Sequence, residues 1–319
     1  MQPAPPFDDD WILAHRPPRN EVTPDRPYAF LVEPEAAPGG GVVDVATILL
    51  TNRECPFRCV MCDLWKNTLE TSVAPGQIPE QIRWALARLP RAQHLKLYNA
   101  GNFFDAQAIP PEDFAAITEL ARPFERVIVE CHPKLVCRRT WEFQGLLDAQ
   151  LDVAMGLETA HPDVLARLNK RMTLDDFASA ARSLREHDVA IRAFILVRPP
   201  FLSEDEGLEW AKRSLDFAFA NGVECCVLIP TRLGNGAMEE LARLGHFAPP
   251  SLDTLEQALE YGLSLRAGRV FVDLWDIARE GNDATRIARL AQANLRQQFQ
   301  LFVSRPCGGA TCPAPRRGR

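Results

Sequence analysis

"TNRECPFRCVMCDLWKNT", residues 51 to 68, decides how this chain is read: Cys55, Cys59 and Cys62 fall within eight residues, directly after the apolar run "VATILLT" (45 to 51). The spacing C-x3-C-x2-C lets three thiolates converge from one loop, and soft sulfur ligands select iron-sulfur clusters or zinc. A closed zinc site takes four ligands, typically in paired short spacings, and no fourth stands nearby in sequence. A cubane cluster held by three cysteines instead leaves one iron open for a substrate or cofactor. The blander alternatives are small buried hydrophobes, or a zinc knuckle completed by a distant residue.

Around this loop the composition is that of an ordinary folded protein. The 319 residues are enough for a full core, with 46% hydrophobic and 24% charged residues, and the 26 prolines signal many turns. No apolar run approaches the roughly 20 residues that span a bilayer, and "MQPAPPFDDD" lacks the basic and apolar regions of a signal peptide. A cytoplasmic protein without membrane association is expected. Nine cysteines, an odd number in a large chain, favour metal or redox use of thiols over a disulfide framework. The formal charge of −6 disfavours a nucleic-acid partner without excluding a local basic groove. The basic tail "PAPRRGR" reads as a solvated end.

Residues 1–44 form a proline-, aspartate- and glycine-rich N-terminal extension with one strand-like piece, "YAFLVEP". From there short apolar runs alternate with amphipathic segments, the pattern of repeated β-α units on a parallel sheet. Six strands are expected at 45–51, 94–100, 126–131, 152–158, 189–197 and 223–230, and a further one in "RVFVDLWD". Helices fill the intervals, several with a proline or an Asp/Ser/Thr cap at the first turn, as in "SEDEGLEWA". The barrel core spans 45–280, and a final helix and tail occupy 281–319. Sites in such folds lie at the carboxyl ends of the strands, here "NREC", "NAGN", "ECHPK", "ETAHP", "RPP" and "PTRLGNG".

A C-x3-C-x2-C loop after the first strand of a β-α barrel resembles the radical S-adenosylmethionine enzymes. The resemblance implies an α/β fold, a partial (β/α)6 or related barrel with parallel strands, and covers about residues 45–280. It implies a 4Fe-4S cluster on Cys55, Cys59 and Cys62, whose open iron chelates S-adenosylmethionine. Electron transfer from an external donor of flavodoxin or ferredoxin type then yields methionine and a 5′-deoxyadenosyl radical that removes a hydrogen atom from substrate.

Residue by residue, "NAGN" (Asn99 to Asn102) matches the family's glycine-rich stretch, where Gly101 admits close approach of backbone to ligand. Glu158 matches a polar cofactor contact, and Asn169, Lys170 and Arg171 match positions that bind the cofactor carboxylate. Met61 replaces the aromatic residue common before the third cysteine, and its thioether is able to pack on the adenine. "CVMCDLWK", "YNAGNFFD", "LNKRMTLDDF", "ILVRPPFLSEDE" and "IPTRLGNGAMEELARLGHFAPPSL" resemble the branch near the Elongator catalytic subunit and the radical enzyme of archaeosine synthesis. That branch acts on modified tRNA. The acidic charge prefers a small molecule or nucleoside-type substrate.

Among other candidates, Glu130, His132, Asp105 and Arg198 are read as substrate contacts. Cys131 and Cys137 read as a packed or substrate-facing set rather than a second metal site. Cys225 and Cys226 alternate faces of a strand, one toward the helices and one toward the barrel interior. Phe103 and Phe104 either stack on a substrate or cap the sheet. Cys307 and Cys312 are two thiols in a tail, too few for an auxiliary cluster.

Overall fold

The structure, a computed structural model, describes residues 7–275, 277 and 283–299. Eight strands form one sheet in sequential order: β1 Ala29–Ala36, β2 Val42–Leu50, β3 His94–Asn99, β4 Arg126–Glu130, β5 Gln150–Glu158, β6 Ala190–Val197, β7 Cys225–Pro230 and β8 Arg269–Val272. From β2 to β8 every pairing is parallel. The six strands read from the apolar runs are β2 to β7, and "RVFVDLWD" supplies β8. "YAFLVEP", assigned by sequence to the extension, pairs antiparallel with β2 over its whole length, Ala29 opposite Leu49 through Ala36 opposite Val42.

Helices α1 Asp9–Ala14, α2 Gln77–Leu86, α3 Phe114–Ala121, α4 Arg138–Leu146, α5 Pro162–Arg167, α6 Leu174–Glu186, α7 Glu204–Ala220, α8 Ala237–Arg243, α9 Leu252–Ser264 and α10 Ala284–Arg296 complete the described elements. Their starts follow the caps expected from sequence. Ser203 and Thr173 each bond the third helical N–H and receive the reciprocal carboxylate of Glu206 and Asp176. The helix expected at the C-terminal end of the chain is α10, which stops at Arg296, where Gln297 takes a left-handed conformation. Cys307 and Cys312 lie outside the described residues.

Side chains alternate along each strand, so every second residue faces the helices. Ile48, Leu97, Val129, Val153, Ile195 and Leu228 form that outer row and pack with Ile82, Ile117, Phe143, Phe177, Leu215 and Leu259 from the helices. Burying each such side chain contributes roughly 1.5–3 kcal/mol. Cys226 belongs to this layer, whereas Cys225 packs on the inner side with Ala36 and Phe271. Phe103 and Phe104 are fully buried and meet the rings of Phe114 and Phe143, so they are core residues rather than a stacking platform. His94 is buried at the start of β3.

The inner row is charged at the amino end of the parallel strands. Glu35 on β1 contacts Lys96 on β3 at 2.6 Å, Arg192 on β6 at 2.6 Å and Arg269 on β8 at 3.6 Å. Arg269 also donates to the Ala36 carbonyl at 3.1 Å, which ties the two sheet edges together through a side chain. The open sheet is thereby curled into a partial barrel with a closed floor, its mouth at the carboxyl ends where the cysteine loop lies. Among the described residues no helix is long and apolar enough to cross a membrane.

Candidate active site

The cysteine loop leaves the end of β2 and is held by backbone and amide contacts rather than by helix. Val60 N–H donates to the Leu168 carbonyl at 3.0 Å. Asn235, nine-tenths or more buried, donates to the Val60 and Cys62 carbonyls at 2.8 and 3.0 Å. Asn169 donates to the Arg58 carbonyl at 2.7 Å, and Trp65 to the Cys62 carbonyl at 3.1 Å. The first satisfies a loop N–H and the others satisfy loop carbonyls, backbone groups that the irregular loop does not pair within itself.

The N-terminal segment straps the loop from outside. Glu54, just before Cys55, receives Arg16 at 2.6 Å, Arg58 at 3.2 Å and also Arg19. Asp9 on α1 accepts from Asn169 at 2.8 Å and Arg171 at 2.6 Å. These two expected cofactor ligands are therefore engaged by a carboxylate of the chain itself.

Cys55, Cys59 and Cys62 are unpaired thiols, partly exposed at residue level. Burial of the sulfur pushes Cys59 up to about 12 and raises Cys62 and Cys55 as well. Thiols so placed become ligands only when a metal's positive charge replaces the proton. Asn102 donates to the Cys55 sulfur at 3.2 Å and the Phe57 N–H lies 3.5 Å from it, while Lys170 and Arg58 lower its pKa electrostatically. Hydrogen bonds to sulfur and a nearby cation suit an anionic iron-sulfur cluster. Among the described residues no three His, Cys, Asp or Glu side chains meet as ligands of one ion. A cubane takes each thiolate on a different iron, so its three cysteines need only surround it, and the donor set fits.

Gly101 lies against this loop: a side-chain carbon there would stand 3.5 Å from the Cys55 backbone. Asn102 links the loop to β4, since its carbonyl oxygen accepts the His132 N–H. His132 stacks on Phe57 with centroids 3.8 Å apart, and its Nε2 is 3.0 Å from the Lys170 carbonyl. Burial and then Lys170 hold its pKa down at about 3, so the ring is neutral and acts as a prop. Asn99 lies on the helix-facing row, and among the described residues its buried amide has no partner. Met61 packs partly buried against the cluster containing Val60 and Leu168.

Glu158 and Lys170 form a buried ion pair, 2.6 Å apart. Against the pull of burial, the Glu158 carboxylate raises Lys170 and keeps it charged. The pair occupies the space beside Gly156, where a side-chain carbon would overlap both Glu158 Oε1 and Lys170 Nζ. The β5–β6 register slips between Gly156 and Glu158, and Glu158 has φ 65°. A bulge and a left-handed residue at a strand end re-aim one side chain, a device found beside functional sites. Gly156→Ala is expected to lower stability by roughly 1–3 kcal/mol through overpacking. Thermal unfolding checks this, and an unchanged midpoint would show that the pair is free to move aside.

The remaining expected contacts separate. Glu130 lies on the inner row of β4, below the mouth. Arg198 is bound to Glu204 and to the Pro249 carbonyl at 2.7 Å, a structural tie between helix starts. Asp105 lines a cleft of about 280 Å³ on the outer flank of the loop with Arg19, Arg53, Glu54, Arg58 and Gln107. Cys131 is buried and donates to the His132 carbonyl, and Cys137 begins α4. Sequence reasoning missed Asn235 and the Asp9 and Glu54 clasps. A lone Asn between two glycines was the available signal for Asn235, and the clasps had none, because their partners are far apart in sequence.

No family model matches the chain. It is 29% identical over 173 residues to the archaeosine synthase subunit beta of Methanosarcina acetivorans, covering 52% of this chain and 49% of that protein. To the subunit beta of Thermococcus kodakarensis it is 28% identical over 166 residues, covering 49% and 51%. The matches thus span about half the length of these relatives. Among solved structures, the N-terminally truncated Elp3 of the archaeon Methanocaldococcus infernus superposes with a TM-score of 0.50 at 15% identity, covering 72% of this chain and 56% of that one. Streptococcus suis SuiB bound to S-adenosylmethionine gives a TM-score of 0.51 at 14% identity, covering 70% and 49%. The chain carries the partial-barrel fold of the radical S-adenosylmethionine enzymes, and in sequence it resembles the archaeosine synthase branch.

Proposed function

We propose that this protein is a radical S-adenosylmethionine enzyme acting on a small-molecule or nucleoside-type substrate. The observation that carries the reading is the C-x3-C-x2-C loop at the carboxyl end of the first parallel strand, with an N–H donor on one sulfur and the charged Lys170 beside it. A 4Fe-4S cluster bound there, reduced by a flavodoxin- or ferredoxin-type donor, supplies the electron that cleaves S-adenosylmethionine into methionine and a 5′-deoxyadenosyl radical. Cys55, Cys59 and Cys62 hold the cluster. The backbone at Gly101 and the Glu158–Lys170 pair border the space for the cofactor, and the barrel excludes bulk water from the reacting end.

A second reading, action on tRNA, is favoured by the likeness to archaeosine synthase subunit beta. The formal charge of −6 weighs against it, because RNA affinity rests on neutralising phosphates. The test is electron paramagnetic resonance of the reduced, anaerobically reconstituted protein, with and without S-adenosylmethionine. A 4Fe-4S signal that shifts on adding the cofactor is expected. A signal that does not shift, or zinc in place of iron, would reduce the loop to a structural clasp.

A further inference from the structure

The two ends of the cysteine loop are anchored differently. Cys55 stands just past β2, close to the sheet, with the Asn102 amide on its sulfur at 3.2 Å. Cys62 stands at the far end of the irregular stretch, and what holds it comes from near the opposite end of the sheet, the segment between β7 and α8. Asn235 in that segment gives both hydrogens of its amide to the loop, to the Val60 carbonyl at 2.8 Å and the Cys62 carbonyl at 3.0 Å. Beside it Arg232 pairs with Asp63 at 3.3 Å, and Lys66 donates back to the Gly234 carbonyl.

Asn235 is 3% exposed, and a third bond fixes which way its amide points: Oδ1 accepts the Met238 N–H at 2.8 Å. The reverse orientation would set that oxygen against two carbonyls, so only one pose satisfies every partner. Gly234 and Gly236 carry φ of 121° and 85°, which glycine takes without strain, and the turn they make delivers the side chain to the loop. As a cap for α8 the residue needs only its oxygen, a task that Asp or Ser performs as well. Capping therefore leaves the two donated bonds unexplained. They bracket Met61 and Cys62, and so fix where that thiol stands.

We infer that Asn235 is a positioning residue: by fixing Cys62 it sets which way the open iron of the cluster faces across the barrel mouth. Three attachment points determine the direction of the fourth iron, and Cys62 is the one farthest along the loop from β2. A misplacement of about 1 Å caused by a residue that never touches the reacting atoms costs on the order of 100-fold in rate. The inference rests on the radical-enzyme reading of the loop.

The test compares Asn235→Asp and Asn235→Ser with the unaltered full chain, each reconstituted anaerobically. Both variants keep an oxygen for the Met238 N–H and lose the paired donors. Iron content is expected to stay at the unaltered level, since all three thiols remain, while dithionite-driven 5′-deoxyadenosine formation per bound cluster falls on the order of 100-fold. The electron paramagnetic resonance line shape of the reduced cluster, recorded without S-adenosylmethionine, should change in both variants, a signature that lost stability alone does not produce. An unchanged line shape, or unchanged turnover per cluster, in both variants overturns the inference. So does turnover that falls only in step with iron content, or failure of both variants to fold, because Asn235 would then serve the fold and not the direction of the iron. If the unaltered protein holds a cluster and makes no 5′-deoxyadenosine, the radical reading falls, and the cofactor-free line shape still decides whether Asn235 places Cys62.

Discussion

Cys59→Ala is expected to strip the visible iron-sulfur absorption from anaerobically reconstituted protein and to bring dithionite-driven 5′-deoxyadenosine formation to background. One loop supplies all three thiolates, so removing the middle one leaves two attachments for a cluster that needs three. The fold should survive. The loop backbone is held by Leu168, Asn235 and Asn169, none of which depends on the Cys59 sulfur. A change in stability of no more than about 1 kcal/mol in the metal-free protein is expected. Full iron content in the variant would sink the assignment of Cys59 as a ligand.

The largest effect on stability is expected at the barrel floor, from Glu35→Gln. That carboxylate, 6% exposed, serves Lys96, Arg192 and Arg269 together, and Arg192 meets it with both arms of its guanidinium, at 3.1 and 2.6 Å. Removing one partner of a buried ionic cluster leaves the others uncompensated, at a cost of about 3–5 kcal/mol. For a chain of this size the unfolding midpoint should drop by on the order of 10 °C.

The same carboxylate makes stability depend on pH. Although burial alone would raise it, Arg192 and Lys96 hold Glu35 well below the usual carboxylate range. A group with a depressed folded-state pKa stabilises above its unfolded value of about 4.3, and that contribution is lost as pH falls below it. The gap between the unaltered protein and Glu35→Gln should therefore be widest near neutrality and narrow toward pH 3. A gap independent of pH would show that Glu35 acts by packing alone.

Much of this was legible in the sequence because it is local. The six central strands followed from short apolar runs, the helix starts from their caps, and the cysteine loop from spacing within eight residues. His161 caps α5 locally, accepting the Val164 N–H. What a side chain meets is not written locally. Arg198 followed a strand end, as a site residue should, yet its guanidinium ties α7 to the start of α9. Asn169 and Arg171 matched cofactor-binding positions, and Asp9, some 160 residues earlier, has hold of both. Of the two readings left open for Phe103 and Phe104, stacking on a substrate or capping the sheet, only burial decides, and both rings are enclosed by α3 and α4.

The sequence by itself determined the order of β-α units, the place of the cysteine loop at a strand end, and the chemistry that three close thiols favour, since each is set by periodicity and short-range spacing. Only the tertiary structure decided that "YAFLVEP" is an edge strand rather than a tail and that Glu35 joins three distant strands into a closed floor. The floor contacts join residues from about 60 to more than 230 positions apart. No local pattern encodes them, because a buried charge acquires its partner only when the sheet curls.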